Sequence, residues 1–207
     1  MEPNLSFDIY HPQPMLIVIS GPSGAGKDSV VSEMKQRQMP FYFVVTATSR
    51  PPRPGEVHGK DYLFYSKDEF EAMIERNEFI EWAHVYQDYK GIPRAQVDKA
   101  MISGMDVVLR VDVQGAEKLR SLYPQAVLIF LVPTTIDEWL ERLRARGTET
   151  EDALQLRTET ARRELTRIGM FDYIVPNAQN QLDAAVDVVC AIIHAEHHHI
   201  PHRRILP

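Results

Sequence analysis

Five runs of apolar, largely β-branched residues mark the chain, at Met15–Ile19, Phe41–Val45, Val107–Val111, Val127–Val132 and Tyr173–Val175. They lack the polar alternation of a half-exposed strand, which fits a parallel sheet buried on both faces. Helical patterns lie between them. Ser66-Lys67-Asp68-Glu69 and Thr135-Ile136-Asp137-Glu138 both have capping-box form and each leads into an apolar-periodic stretch. Gly104 and Gly147 fall where helix C-caps belong. Two stretches interrupt the alternation. Thr46 to about Arg94 is rich in Arg, Tyr and Pro with short strand-like pieces, and Arg142 to about Arg167 is a charged helical segment. The pattern predicts an α/β fold with helices on both faces of the sheet.

The first strand-like run leads into Ser20-Gly21-Pro22-Ser23-Gly24-Ala25-Gly26-Lys27-Asp28-Ser29, followed by a helix predicted from Asp28 to Lys35. Strand, glycine-rich turn and helix give the pattern G-x-x-x-x-G-K-[ST] its meaning as a phosphate loop. The glycines let backbone N–H groups converge on an anion, and the helix N-terminus adds its positive end. Lys27 then supplies a point charge to the terminal phosphates. A turn that merely joins strand to helix would not need that lysine. Asp28 stands where the pattern has the magnesium-binding hydroxyl. A carboxylate is also a hard oxygen ligand, so Asp28 is a candidate metal ligand, although it puts negative charge beside phosphates. Ser29, the nearest hydroxyl, lies about 100° further round the helix.

Composition narrows the class. A chain of 207 residues with 44% hydrophobic and 25% charged residues suits one α/β domain, or a core with inserted subdomains. A net charge of −6 argues against a general nucleic-acid binder. No run reaches the ~18 apolar residues of a membrane span, and the acidic start resembles neither a signal nor a transit peptide, so cytoplasm is the expected location. The single Cys190 sits at helical spacing with Val186, Val189 and Ile193, the setting of a core thiol in a reducing compartment. Residues 1–13 read as a loose arm, 14–195 as the folded domain and 196–207, with its histidines and Arg203-Arg204, as a solvated tail.

Within the first interruption, prolines stiffen Ser49-Arg50-Pro51-Pro52-Arg53-Pro54-Gly55-Glu56 and hold two guanidinium groups three residues apart, a geometry suited to a phosphate dianion or to a solvated loop. Glu81 lies inside the apolar run Phe79-Ile80-Glu81-Trp82-Ala83. Alternation sets it on the face opposite Ile80 and Trp82, where it is either exposed or, facing a cleft, an acceptor for a base.

These motifs, with Gly59-Lys60-Asp61-Tyr62, Asp112-Val113-Gln114-Gly115 and Arg146-Gly147-Thr148-Glu149-Thr150, resemble guanylate kinase over about Met15 to Ile193. The resemblance implies a P-loop core with an inserted GMP-binding subdomain (about 46–94) and a helical lid (about 142–167). It also implies transfer of the γ-phosphoryl of ATP to GMP, with Mg²⁺, in a monomer or small homo-oligomer. Residue by residue, Gly21 to Ser29 match the ATP loop and Lys27 its catalytic lysine. Arg50, Arg53 and Tyr62 match holders of the GMP phosphate. Thr46 and Glu81 match readers of guanine, and Asp112 an acid near both base and metal. Arg146 and Arg157 match lid arginines that close on the transferring group, and Asn177 an asparagine on the adenine side.

Four positions depart from the commoner pattern. Asp28 replaces Ser or Thr, Lys90 and Ile92 stand where Tyr and Ser or Thr are usual, and Arg110 replaces an aspartate. Lys90 would serve the phosphate as an ammonium in place of a phenol, whereas Ile92 neither donates nor accepts. The combination is similar to guanylate kinases of the plant organellar type. Two other readings carry less support. Gly26-Lys27-Asp28-Ser29 also resembles ribose 1,5-bisphosphate phosphokinases, which lack the Arg50–Tyr62 and Glu81 set. Non-catalytic guanylate-kinase-like modules have an eroded phosphate loop, and this one is intact.

Overall fold

The computed structural model describes residues 13–85, 87–144 and 151–200. The first half of the chain runs β1 (Leu16–Ser20), α1 (Lys27–Gln36), β2 (Phe41–Phe43), β3 (Ala47–Thr48), β4 (Leu63–Phe64), α2 (Lys67–Glu75), β5 (Phe79–Val85) and β6 (Asp88–Pro93). The second half runs α3 (Arg94–Met101), β7 (Asp106–Arg110), α4 (Val113–Leu122), β8 (Val127–Val132), α5 (Ile136–Arg144), α6 (Glu151–Leu165), β9 (Tyr173–Pro176) and α7 (Leu182–His197).

The five runs expected as strands form one sheet in the order β2-β7-β1-β8-β9, every neighbouring pair parallel. Both faces are covered. Ile17, Ile19, Val108 and Ile129 pack towards α1 and α7, while Leu16, Val18, Leu109 and Leu128 pack towards α3 and α4. Burial on both sides explains why the central strands β1, β7 and β8 carry no polar alternation, while the edge strands β2 and β9 are only partly covered. The connections place the loop after β1 at the carboxyl end of the central strand, beside the point where strand order reverses, which is where open α/β sheets bind ligands.

The stretch from residue 47 to 93 builds a second sheet in the order β4-β3-β6-β5, with β3 and β4 parallel and the remaining pairs antiparallel. Phe70 of α2 stacks on Phe79 at 4.4 Å and on Tyr89 at 5.3 Å to make its small core. Ser66 caps α2 with the full reciprocal box to Glu69. At Thr135 only half of that box forms. Thr135 Oγ1 accepts from the Glu138 N–H at 3.2 Å, but the Glu138 carboxylate goes to Thr134 and Arg142 instead.

The C-terminal boundary needs correcting. α7 continues through His197, Glu196 is buried, and His197 Nε2 lies 2.7 Å from Asp106 Oδ2, so these residues belong to the packed body. The arm over residues 1–12, the tail beyond residue 200, Arg146 and Gly147 lie outside the described residues. Cys190 packs at the edge of the core, where burial raises its thiol pKa. Among the described residues no helix is long and apolar enough to cross a membrane.

Candidate active site

The loop from Gly21 to Gly26 is shaped by contacts that exclude side chains. Gly21 has φ +139°, and a Cβ there would lie 2.2 Å from the Leu131 carbonyl oxygen. Gly26, the N-cap of α1 at φ +88°, would press a Cβ to 2.2 Å from Asn177 Nδ2. Side chains brace the loop from behind. Trp139 Nε1 donates to the Ser23 carbonyl at 2.6 Å, Arg157 donates to Ser23 Oγ at 2.7 Å, and Asn177 Nδ2 donates to the Ala25 carbonyl at 2.8 Å. Asn177 is therefore buried behind the loop, its own carbonyl accepting from Arg142 at 2.7 Å. Trp139 carried no signal in the sequence beyond an amphipathic helix, and neither the capping-box form at Glu138 nor the charged segment begun by Arg142 pointed to the loop.

Lys27 turns back into the loop. Its ammonium donates to the carbonyls of Gly21 and Pro22. Burial, and then Lys90, lower its pKa to about 8, while Glu164, Asp28 and Asp112 act in the opposite sense. Glu164, near the end of α6, lines the same cleft and was missed by the sequence reading.

Across a cleft of ≈ 340 Å³, Arg50, Arg53, Tyr62 and Lys90 face this loop. Arg50 forks onto Glu56 at 2.6 and 2.7 Å and lies 5.0 Å over the Tyr62 ring. Glu56 also accepts the Arg53 N–H at 2.7 Å, so this one carboxylate folds the proline-rich loop around itself. Burial would raise the Glu56 carboxyl, but Arg50 and the Arg53 N–H hold it below the usual range.

Deeper in, Glu81 lies on the buried face of β5 with Phe79 and Ala83 and is only 5% exposed. The choice left open by alternation is resolved by α4, where Gly115 leaves room for the carboxylate: a Cβ there would lie 3.1 Å from Glu81 Oε2. Thr46 Oγ1, buried beside the same pocket, has no hydrogen-bond partner among the described residues. Ile92, 1% exposed, supplies an apolar wall. Asp112 caps α4, its Oδ1 accepting from the Gly115 N–H at 2.9 Å.

Burial, followed by the charge of Asp112, pushes the Glu81 carboxyl up to about 7, and Lys118 at 3.4 Å only partly compensates. The folded state therefore holds this proton more tightly than the unfolded chain. Stability falls as pH rises through the window between the ordinary carboxyl value and 7, and above it the folded protein carries the whole penalty. At about 1.4 kcal/mol per pKa unit this is on the order of 3 kcal/mol. Glu81→Gln should accordingly melt roughly 10 °C above the parent at pH 8 and level with it at pH 4.5. Calorimetry of both ligand-free proteins checks this, and an advantage independent of pH would defeat it.

Asp28 has an occupation that the sequence did not suggest. Its Oδ1 lies 3.0 Å from Arg110 Nη1 and accepts from the Tyr62 hydroxyl at 3.3 Å. A divalent cation on that oxygen would sit against a guanidinium, and Asp112 is engaged in its cap. No three His, Cys, Asp or Glu side chains gather as a metal cage among the described residues. This donor set does not fit an ion held by the protein alone.

Comparison with known proteins follows the same lines. The guanylate kinase family model matches residues 13–196. Guanylate kinase 2, chloroplastic/mitochondrial, of Oryza sativa subsp. japonica is 52% identical over 186 residues, 89% of this chain and 65% of the rice protein. The guanylate kinase of Desulfitobacterium hafniense is 42% identical over 182 residues, 88% of this chain and 90% of its own. The crystal structure of guanylate kinase from Anaplasma phagocytophilum superposes with a TM-score of 0.74 at 26% identity, covering 94% of this chain and 92% of that one. A phosphate loop facing arginines and a buried carboxylate, on a sheet of this order, is thus found in a chain that belongs to the guanylate kinase family, the kinases that pass the γ-phosphoryl of ATP to GMP.

Proposed function

We propose that the chain carries out this reaction with the following division of labour. The ATP phosphates occupy the loop from Gly21 to Gly26, with Lys27 on the terminal phosphates and Arg157 reaching them from the lid side. Arg146, outside the described residues, keeps the catalytic role that its match to the family implies. Arg50, Arg53, Tyr62 and Lys90 bind the phosphate of GMP, Glu81 and Thr46 read its base, and Asp112 orders the wall between base and phosphates. Magnesium would be supplied as part of the nucleotide donor, where it would neutralise phosphate charge.

The observation that supports this reading best is the cleft itself, where Lys27 and Arg157 face Arg50, Arg53 and Lys90 across one continuous space. Phosphoryl transfer spreads negative charge over three equatorial oxygens, and fixed cations on both sides stabilise it without reorganising. The accepting oxygen of GMP is already anionic at neutral pH, so no general base is required.

A coupled assay of ADP release tests the assignment with GMP, dGMP, AMP, UMP and ribose 1,5-bisphosphate as acceptors. GMP should exceed AMP and UMP in kcat/KM by at least ~10³, because adenine and uracil leave the Glu81 carboxylate unmatched. Preference for ribose 1,5-bisphosphate would sink the acceptor assignment.

A further inference from the structure

Arg110 ends β7, in the strand beside β1, and its side chain is only 11% exposed. Its guanidinium joins three separate parts of the molecule. Nη1 lies 3.0 Å from Asp28 in the first turn of α1, Nη2 donates to the Asp61 carbonyl at 2.7 Å, and the group stacks 4.2 Å from the Tyr62 ring. The Tyr62 hydroxyl closes the triangle on Asp28 at 3.3 Å. A second tie runs alongside, from Lys35 Nζ of α1 to the Lys60 carbonyl at 3.1 Å. The segment that delivers Tyr62 to the cleft is thus fastened to the helix of the phosphate loop through a charged pair.

Neither member of that pair makes sense alone. A buried guanidinium needs a counter-charge, and a carboxylate beside a phosphate loop needs neutralising. Arg's planar fork can serve a carboxylate, a carbonyl and an aromatic face together, which an ammonium cannot. We propose that Arg110 is a positioning residue for the acceptor site, setting Tyr62 against the phosphate loop, and that Asp28 serves as its counter-ion rather than as a metal ligand. The inference rests on the reading that Tyr62 faces the GMP phosphate.

The test is a double-mutant cycle of Asp28→Asn, Arg110→Met and the double variant, read first by calorimetric titration of GMP in EDTA without ATP. Each single substitution should weaken GMP binding about tenfold, and the double should be no worse than the weaker single, because both remove the same contact. In steady state the KM for GMP should rise with that loss. The KM for ATP and the magnesium concentration for half-maximal rate should stay within about twofold. A hundredfold loss in the double variant would show two independent roles and overturn the proposal. So would an Asp28→Asn protein that binds GMP normally but needs several-fold more magnesium. Should Arg110→Met not fold, Arg110→Lys keeps the charge without the fork and should still lose GMP affinity. Parent protein that fails to bind GMP would instead remove the functional reading beneath the proposal, whereas normal GMP binding by parent and Arg110 variants alike removes only the latch.

Discussion

Replacing Lys27 by alanine lowers kcat for GMP phosphorylation by roughly 10²–10³-fold, with little change in melting temperature. The ammonium is the cation nearest the donor phosphates in the proposed arrangement, and a preorganised donor of this kind acts mainly in the transition state. Stability is spared for a stated reason. In the ligand-free protein the hydrogen bonds of the Lys27 ammonium among the described residues go to the carbonyls of Gly21 and Pro22, and the group is held against its own burial, as its lowered pKa shows. Removing it relieves that cost as well as losing those bonds. Single-turnover kinetics and calorimetry together decide the matter. Full turnover in the variant would defeat the assignment of the loop, and unfolding would show that the lysine is structural.

The second large effect concerns the acceptor. Glu81→Gln reduces kcat/KM for GMP by roughly 10³-fold while leaving the KM for ATP within about twofold. Guanine presents a ring N–H and an exocyclic amine side by side, two donors that one carboxylate accepts together. Glutamine offers a single acceptor and turns an N–H towards one of those donors. Adenine has an acceptor at the ring position, so AMP should gain relative to GMP in the variant. The buried hydroxyl of Thr46 stands beside this edge, while Ile92 contributes shape alone. Steady-state comparison of GMP and AMP on parent and variant checks this, and an undiminished preference for GMP would assign base reading to Thr46, Asp112 or the backbone.

Much of this architecture was legible in the chain before the structure. The three central strands declare themselves because burial on both faces leaves no room for polar residues, and the phosphate loop because its glycines are needed at fixed positions. What stayed hidden depends on distant partners. Alternation placed Glu81 opposite Ile80 and Trp82, but only the packing of Gly115 against it decides which face is inside. The two-residue strands β3 and β4 are too short to show a period. Asp28 and Arg110, 82 positions apart, look like two unrelated departures until β7 brings them within 3.0 Å. Likewise nothing in the sequence shows that Asn177, matched by resemblance to an asparagine on the adenine side, braces the Ala25 carbonyl.

The positions of the two tryptophans have an optical consequence. Trp139, 6% exposed, donates its indole N–H to the phosphate loop at Ser23, on the donor side of the cleft. Trp82, 38% exposed, follows Glu81 in β5 and lies under Lys118. The chain has no other indole. Emission from the first is shielded from water and tied to the phosphate loop, while emission from the second is open to solvent and quenchers on the face of β5 opposite Glu81. The protein thus carries one shielded indole that reports on the phosphate loop and one exposed indole that reports on the second sheet.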